Sequence, residues 1–443
     1  MQNQGIRDAR SLGTPKLLVL GLQHMFAMFG ATVLVPALTG LSVSATLLFA
    51  GLGTLFFHFV TKGKVPAFLG SSFAYLAGYA AIAPNGEAAL LPYACVGVAA
   101  SGLLYLILAA LVRGFGANRV MRFFPPVVTG PIIICIGMTL ANSAINNCTG
   151  SWDIALVAIL TVVIFNIWGK GMLRIIPILL GVLVSYVYAA VTGRVDFSGV
   201  AGAAWIGLPV KMENTVFSLI GNCDANLLVT AIIAIMPIAF ATMIEHIGDI
   251  CAISSTVGAN FIADPGLHRT LLGDGLATSI ASLFGAPANT TYGENTGVLA
   301  LTRVYDPLVI RLAAVYAIIA SFCPKFAALV SAMPTGTIGG VSLILYGMIS
   351  AIGVRNLVEN RVDLAKSRNV IVVSLIISLA LGITFSTAGA ITFHVGEFTL
   401  NFSGLAVAAI VGIVVNAILP GKDYNFQNDY EYGKTTEDHG QML

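Results

Sequence analysis

Charge is what this sequence has least of. Only 9% of its 443 residues are Asp, Glu, Lys or Arg, against about 25% in an ordinary soluble domain. The formal net charge of +2 leaves no basic surplus with which to hold nucleic acid. Cysteine is also sparse. Cys95, Cys135, Cys148, Cys223, Cys251 and Cys323 are scattered and form no C-x-x-C pair, which argues against metal or redox use and for ordinary packing. An H-E-x-x-H pattern is missing, as are facing Asp-rich motifs, so a membrane enzyme would lack its reacting pair or metal site. No cleavable leader is evident, because Met1–Lys16 is polar and the first apolar run has no small-residue cleavage site.

What fills the chain instead is apolar. Hydrophobic residues make up 57%, and the mean hydropathy is +0.90. Runs such as Leu17–Met28, Ala45–Val60, Ile154–Trp168, Ile175–Val191, Leu227–Phe240, Ala313–Phe322 and Val370–Ile383 are bounded by polar or Pro/Gly clusters. Each extends to the roughly 20 residues that cross a hydrocarbon core. The expected class is an all-α polytopic membrane protein of about fourteen segments. They run over 17–38, 45–61, 66–83, 91–112, 125–142, 152–168, 174–192, 226–247, 271–285, 287–302, 308–330, 334–352, 369–386 and 403–420. A longer connection, 193–225, separates the halves, and a polar tail follows Gly421.

The few charges orient the chain. With the N-terminus inside, fourteen spans put every Lys and Arg on the cytoplasmic side or within a span except Arg194, Lys211 and Lys325. This is the distribution the positive-inside rule selects. Both termini are therefore expected in the cytoplasm.

The two halves echo each other. Gln23-His24 in the first span is matched by Glu245-His246 in the eighth, 222 positions later. Gly70-Ser-Ser-Phe-Ala74 interrupts the third span as Thr290-Thr-Tyr-Gly-Glu294 interrupts the tenth, at an offset of 220. Seven spans per half is an odd number, so the second half must be inverted relative to the first. Inverted repeats with broken helices in matching places are an architecture of secondary transporters, with the binding site near the midplane.

Ionisable residues inside such segments mark that site. A carboxylate at the bilayer centre costs about 2.5–3.5 kcal/mol on insertion scales. Glu294 nevertheless sits among Gly, Asn, Thr and Pro in Ala286–Arg303, and Glu245 and Asp249 lie four apart on one helical face. Unwound backbone beside carboxylates suits a flat, neutral molecule carrying both N–H and C=O groups. A nucleobase fits, and so does an amino acid or a small amide. A channel would instead distribute polar residues along several spans.

Glu294-Asn-Thr-Gly-Val-Leu-Ala-Leu-Thr-Arg303 resembles the signature of the nucleobase–ascorbate transporter family, also called nucleobase–cation symport-2. That signature is Gln, Glu or Pro, then Asn, any residue and Gly, then four residues and Thr before Arg, Lys or Gly. The resemblance continues through Leu22–Pro36, Gly63–Tyr75, Phe124–Gly130, Asp264–Thr270 and Gly339–Gly347, and is strongest to the bacterial uracil permeases. It implies two inverted sets of seven spans with short strands in segments 3 and 10. A core domain would comprise 17–112 and 226–330, and a gate domain 125–192 and 334–420, through which the protein would dimerise. Residues 1–16 and 421–443 would be cytoplasmic and 193–225 extracellular.

The same resemblance implies that Glu245 and Glu294 accept hydrogen bonds from ring N–H groups, while the main-chain amides of Phe73 and Gly293 bond the ring carbonyls. His24, Asp249, Tyr346 and Asn295 form the supporting or proton-coupling set. One position departs: uracil permeases often read Glu-His-x-Gly-His where this chain reads Glu245-His-Ile-Gly-Asp249. Asp there resembles the purine-transporting branch, whereas Glu at 294 resembles the pyrimidine branch, so uracil import is expected and xanthine transport is the alternative.

Burial and a neighbouring carboxylate both favour the protonated form. Glu245, Asp249 and Glu294 are therefore expected to share a proton that drives symport, with sodium as the alternative ion and no cofactor or resident metal. His58 and the Met25–Phe29 side chains are assigned to packing, His246 is expected to point away from Glu245, and Asp274 either faces water or joins the proton path.

Overall fold

The computed structural model describes residues 5–395 and 398–422. The apolar runs fold as helices because a backbone surrounded by hydrocarbon must satisfy its hydrogen bonds within the segment. In the first half these are α1 (Thr14–Thr39), α2 (Val43–Val60), α3 (Leu76–Ile82), α4 (Leu91–Phe115), α5 (Pro126–Cys148), α6 (Trp152–Trp168) and α7 (Pro177–Val191). The second half contains α8 (Ala225–Ile235), α9 (Ala239–Val257), α10 (Leu267–Leu283), α11 (Gly293–Thr302), α12 (Pro307–Ser321), α13 (Pro324–Ser331), α14 (Thr335–Glu359), α15 (Ser367–Thr384) and α16 (Gly404–Ile418). Among the described residues, seven helices are long and apolar enough to cross a membrane, or eight if α12 and α13 count as one bent span.

The breaks have local causes. Pro237 lies between α8 and α9, where Met236–Ile238 tightens to a 3-10 turn, and α9 runs on to Val257, ten residues past the expected end of its segment. Pro324 can neither donate a backbone hydrogen bond nor follow a helical turn without a clash, and α12 and α13 meet at 87°. Asp224 caps α8 by accepting from the amides of Asn226 and Leu227. Asp306 caps α12 through Leu308, and its second oxygen accepts from the amide of Ala9. The N-terminal residues are thereby held: Ile6 pairs in parallel with Val304, and Arg7 donates to the carbonyl of Val257.

Helix packing falls into two groups. In one, α2 and α4 pack on α10, and α1 and α2 on α12. In the other, α5, α6 and α7 pack with α14, and α15 and α16 lie on α5. Glycines set the closest approach in the second group: a Cβ on Gly137 would stand 2.2 Å from the carbonyl oxygen of Tyr346. Apolar side chains such as Leu103 and Ile107 on α4 and Leu156, Leu160 and Ile167 on α6 face outward, as a lipid-facing surface requires.

Two short strands sit inside the first group. β1 (Leu69–Ser71) and β2 (Asn289–Thr291) pair antiparallel, with Gly70 opposite Thr290. These strands are 220 positions apart residue for residue, the offset of the sequence echo, and the paired Gly70 and Thr290 are themselves equivalent positions in it. Gly70 is required there, because a Cβ would come within 2.5 Å of the Tyr292 ring. A second hairpin, β3 (Ala390–Val395) with β4 (Phe398–Ser403), precedes α16 and lies against α8. The tail beyond Lys422 lies outside the described residues.

Candidate functional site

Each strand ends at the start of a helical segment. β1 leads through Ser72 into a 3-10 turn at Phe73–Tyr75 and then α3, and β2 leads through Tyr292 into α11 at Gly293. The first N–H groups of a helix have no intrahelical acceptor, so Phe73 and Gly293 stand where donors are presented. Buried side chains hold the strands from outside. Thr54 bonds both the amide and carbonyl of Leu69, Thr278 donates to the carbonyl of Asn289, and Asn289 donates to the carbonyl of Phe49. Tyr292 crosses the sheet to donate to the carbonyl of Ser71 at 2.9 Å.

Helix α9 brings the carboxylates to this sheet. It packs on α11 and β2 on one side and on α5 and α16 on the other, between the two helix groups. Glu245 and Asp249 are half-buried, one turn apart. Asp249 Oδ2 accepts from Thr291 Oγ1 at 3.1 Å, and its Oδ1 lies 3.6 Å from where a Cβ on Gly293 would be. Glu245 stands within electrostatic reach of Tyr75 and Tyr105.

The other halves of the expected set lie near. Asn295, in the first turn of α11, donates from Nδ2 to both Nδ1 and the carbonyl oxygen of His24 on α1, at 3.1 Å each. Phe73 stands edge-on to Tyr346 of α14, ring centroids 5.8 Å apart at 76°, so the pair joins the two helix groups. The Tyr346 hydroxyl is buried with no hydrogen-bond partner among the described residues. Glu294 is the second residue of α11, but its side chain lies outside the described residues.

Residues assigned to packing behave so: His58 donates from Nε2 to the carbonyl of Ala67 at 2.9 Å. Asp274 does not face water. It is fully buried, with His246 Nδ1 3.2 Å from its Oδ2. Thr291 carried no signal beyond being a polar residue in a broken segment. Among the described residues no three His, Cys, Asp or Glu side chains stand close enough to share a metal ion.

Residues 15–389 match the family described as "Permease family". The chain is 42% identical to the "Uracil permease" of Bacillus caldolyticus over 437 residues, 96% of each chain. It is 40% identical to that of Bacillus subtilis (strain 168) over 99% of this chain and 98% of the relative. Identity to the "Uracil permease" of Escherichia coli (strain K12) is 38% over 90% of each. In fold, it resembles the transmembrane domain of a cyanobacterium bicarbonate transporter, BicA, with a TM-score of 0.63 at 13% identity, covering 94% of this chain and 100% of that one. SLC26A9 also gives 0.63, at 12% identity over 90% of this chain and 64% of that one.

Proposed function

The chain belongs to this permease family, a family of multi-pass membrane transporters rather than enzymes, and we propose that it imports uracil by proton symport. The observation that carries the reading is the meeting of two strand-to-helix breaks, at Phe73 and Gly293, beside the carboxylates of α9. Uracil presents two N–H groups and two carbonyls around a flat ring. Glu245 and Glu294 would accept from the N–H groups, and the amides of Phe73 and Gly293 would donate to the carbonyls. Tyr346 would close the site from the gate side.

Glu245, Asp249 and Glu294 would share one proton, taken up outside with uracil and released inside. His24 and Asn295 would hold the start of α11 in place. The two helix groups correspond to the core and gate domains, and α9 lies between them, so movement of one group against the other would expose the site alternately. The same reading takes fourteen segments in two inverted sets of seven, both termini in the cytoplasm, residence in the cytoplasmic membrane and dimerisation through the gate. Asp249 favours xanthine as the second reading.

Labelled uracil uptake tests this in cells lacking their own uracil carrier. Saturable uptake that excess xanthine does not inhibit supports the uracil reading. Strong inhibition by xanthine moves the substrate to purines.

A further inference from the structure

Behind β2 lies a pair of ionisable side chains that the transport reading does not use. His246, the residue after Glu245 on α9, and Asp274 of α10 are both fully buried, with Nδ1 and Oδ2 3.2 Å apart. Neither carboxylate oxygen of Asp274 has a hydrogen-bond donor among the described residues, and His246 Nε2 likewise has no partner there. The imidazole stands edge-on between Phe57 of α2 and Tyr105 of α4, at 6.3 and 6.4 Å. Tyr105 and Tyr75 lie within electrostatic reach of Asp274, as both do of Glu245. A buried carboxylate without donors is costly unless a neighbour supplies a proton or a positive charge. His246 is the neighbour placed to do so.

The pair is connected to the site by one hydroxyl. Thr291 Oγ1, on β2, lies 3.4 Å from His246 Nδ1 and donates to Asp249 Oδ2 at 3.1 Å. A hydroxyl has a single proton. If Thr291 gives it to Asp249, the hydroxyl oxygen must accept from His246, which requires the proton on Nδ1. Asp274 holds it on that nitrogen by charge. Without that carboxylate the neutral ring can carry its proton on Nε2 instead, whereupon Thr291 can donate to Nδ1 and abandon Asp249.

We propose that Asp274 and His246 are positioning residues that orient the Thr291 hydroxyl and thereby set how tightly Asp249 holds its proton. This rests on the reading that Asp249 belongs to the proton-sharing carboxylates.

The test is infrared titration of the full chain in lipid, following the protonated-carboxyl C=O band assigned to Asp249 by its loss in Asp249→Asn. Losing one hydrogen bond to the carboxylate in Thr291→Val should raise the midpoint by about one pH unit. Thr291→Ser, which keeps the hydroxyl, should leave it near the wild-type value. Asp274→Asn should raise it in the same direction, and the double variant with Thr291→Val should rise no further than Thr291→Val alone. An unchanged midpoint in Thr291→Val or in Asp274→Asn, equal shifts in the Ser and Val variants, or an additive double variant would each overturn the proposal. If Asp274→Asn does not reach the membrane, Asp274→Ser, which also removes the charge, takes its place with the same expected shift. The titration needs no substrate, so failure of wild-type protein to carry uracil would refute the transport reading while leaving this result to stand or fall separately.

Discussion

Asn295 of α11 holds His24 of α1 twice, donating from one amide nitrogen to the ring Nδ1 and to the main-chain carbonyl, at 3.1 Å each. For Nδ1 to accept, the ring proton must sit on Nε2, so this contact fixes the tautomer as well as the position of His24. It also ties the first helix of one half to the broken helix of the other.

Asn295→Ala leaves the buried His24 Nδ1 without its donor, while the His24 carbonyl keeps its place in the α1 helix ladder. It should destabilise the protein by about 1–3 kcal/mol, read as a lower melting temperature in detergent. His24→Ala added to Asn295→Ala should cost much less than His24→Ala alone, because the contact is already lost. Full additivity in that cycle would show that the two side chains do not act together.

Gly70→Ala should separate the strands. The new methyl would meet the Tyr292 ring at 2.5 Å, and overpacking of this kind costs about 1–3 kcal/mol. Reduced abundance in the membrane and a lower melting temperature are expected. Tyr292→Phe should give no relief because the ring remains, whereas Tyr292→Ala in the Gly70→Ala background should restore part of the loss.

Tyr346 separates packing from polarity. Its hydroxyl is buried with no partner among the described residues, while its ring meets Phe73. Tyr346→Phe should therefore be neutral or slightly stabilising in thermal melting. Tyr346→Ala should cost about 3–5 kcal/mol. A large loss of stability in the Phe variant would mean that the hydroxyl has a partner.

Glu294→Gln tests the substrate contact. Replacing a carboxylate acceptor by an amide removes a charge-assisted hydrogen bond of about 1.5–3 kcal/mol. Uracil affinity, measured by binding to purified protein, should fall roughly 10- to 100-fold. Unchanged affinity would remove Glu294 from the site.

Much of this was legible in the sequence because membrane segments announce themselves. Apolar runs longer than the bilayer is thick leave the backbone no choice but helix, and Gly70–Ala74 and Thr290–Glu294 mark the breaks by their small and polar residues. The β3–β4 hairpin escaped because a span-length hydropathy average hides alternation. Ile391, Phe393 and Val395 alternate with polar neighbours, as do Phe398, Leu400 and Phe402, which is a strand signal at period two. The sharp bend at Pro324 sits inside a run that reads as one span. The contact between Asp274 and His246 was not legible either. It joins two helices through the packing of α9 and α10 around β2, and no spacing along the chain encodes it.

Proton-driven uracil import can be measured in proteoliposomes holding the purified wild-type protein. Labelled uracil is supplied outside, with and without an imposed pH gradient that is acidic outside, at zero sodium. Uracil should accumulate above its outside concentration only with the gradient, and a protonophore should abolish the accumulation. Uptake that merely equilibrates with the gradient present, or that accumulates only with sodium, would contradict it.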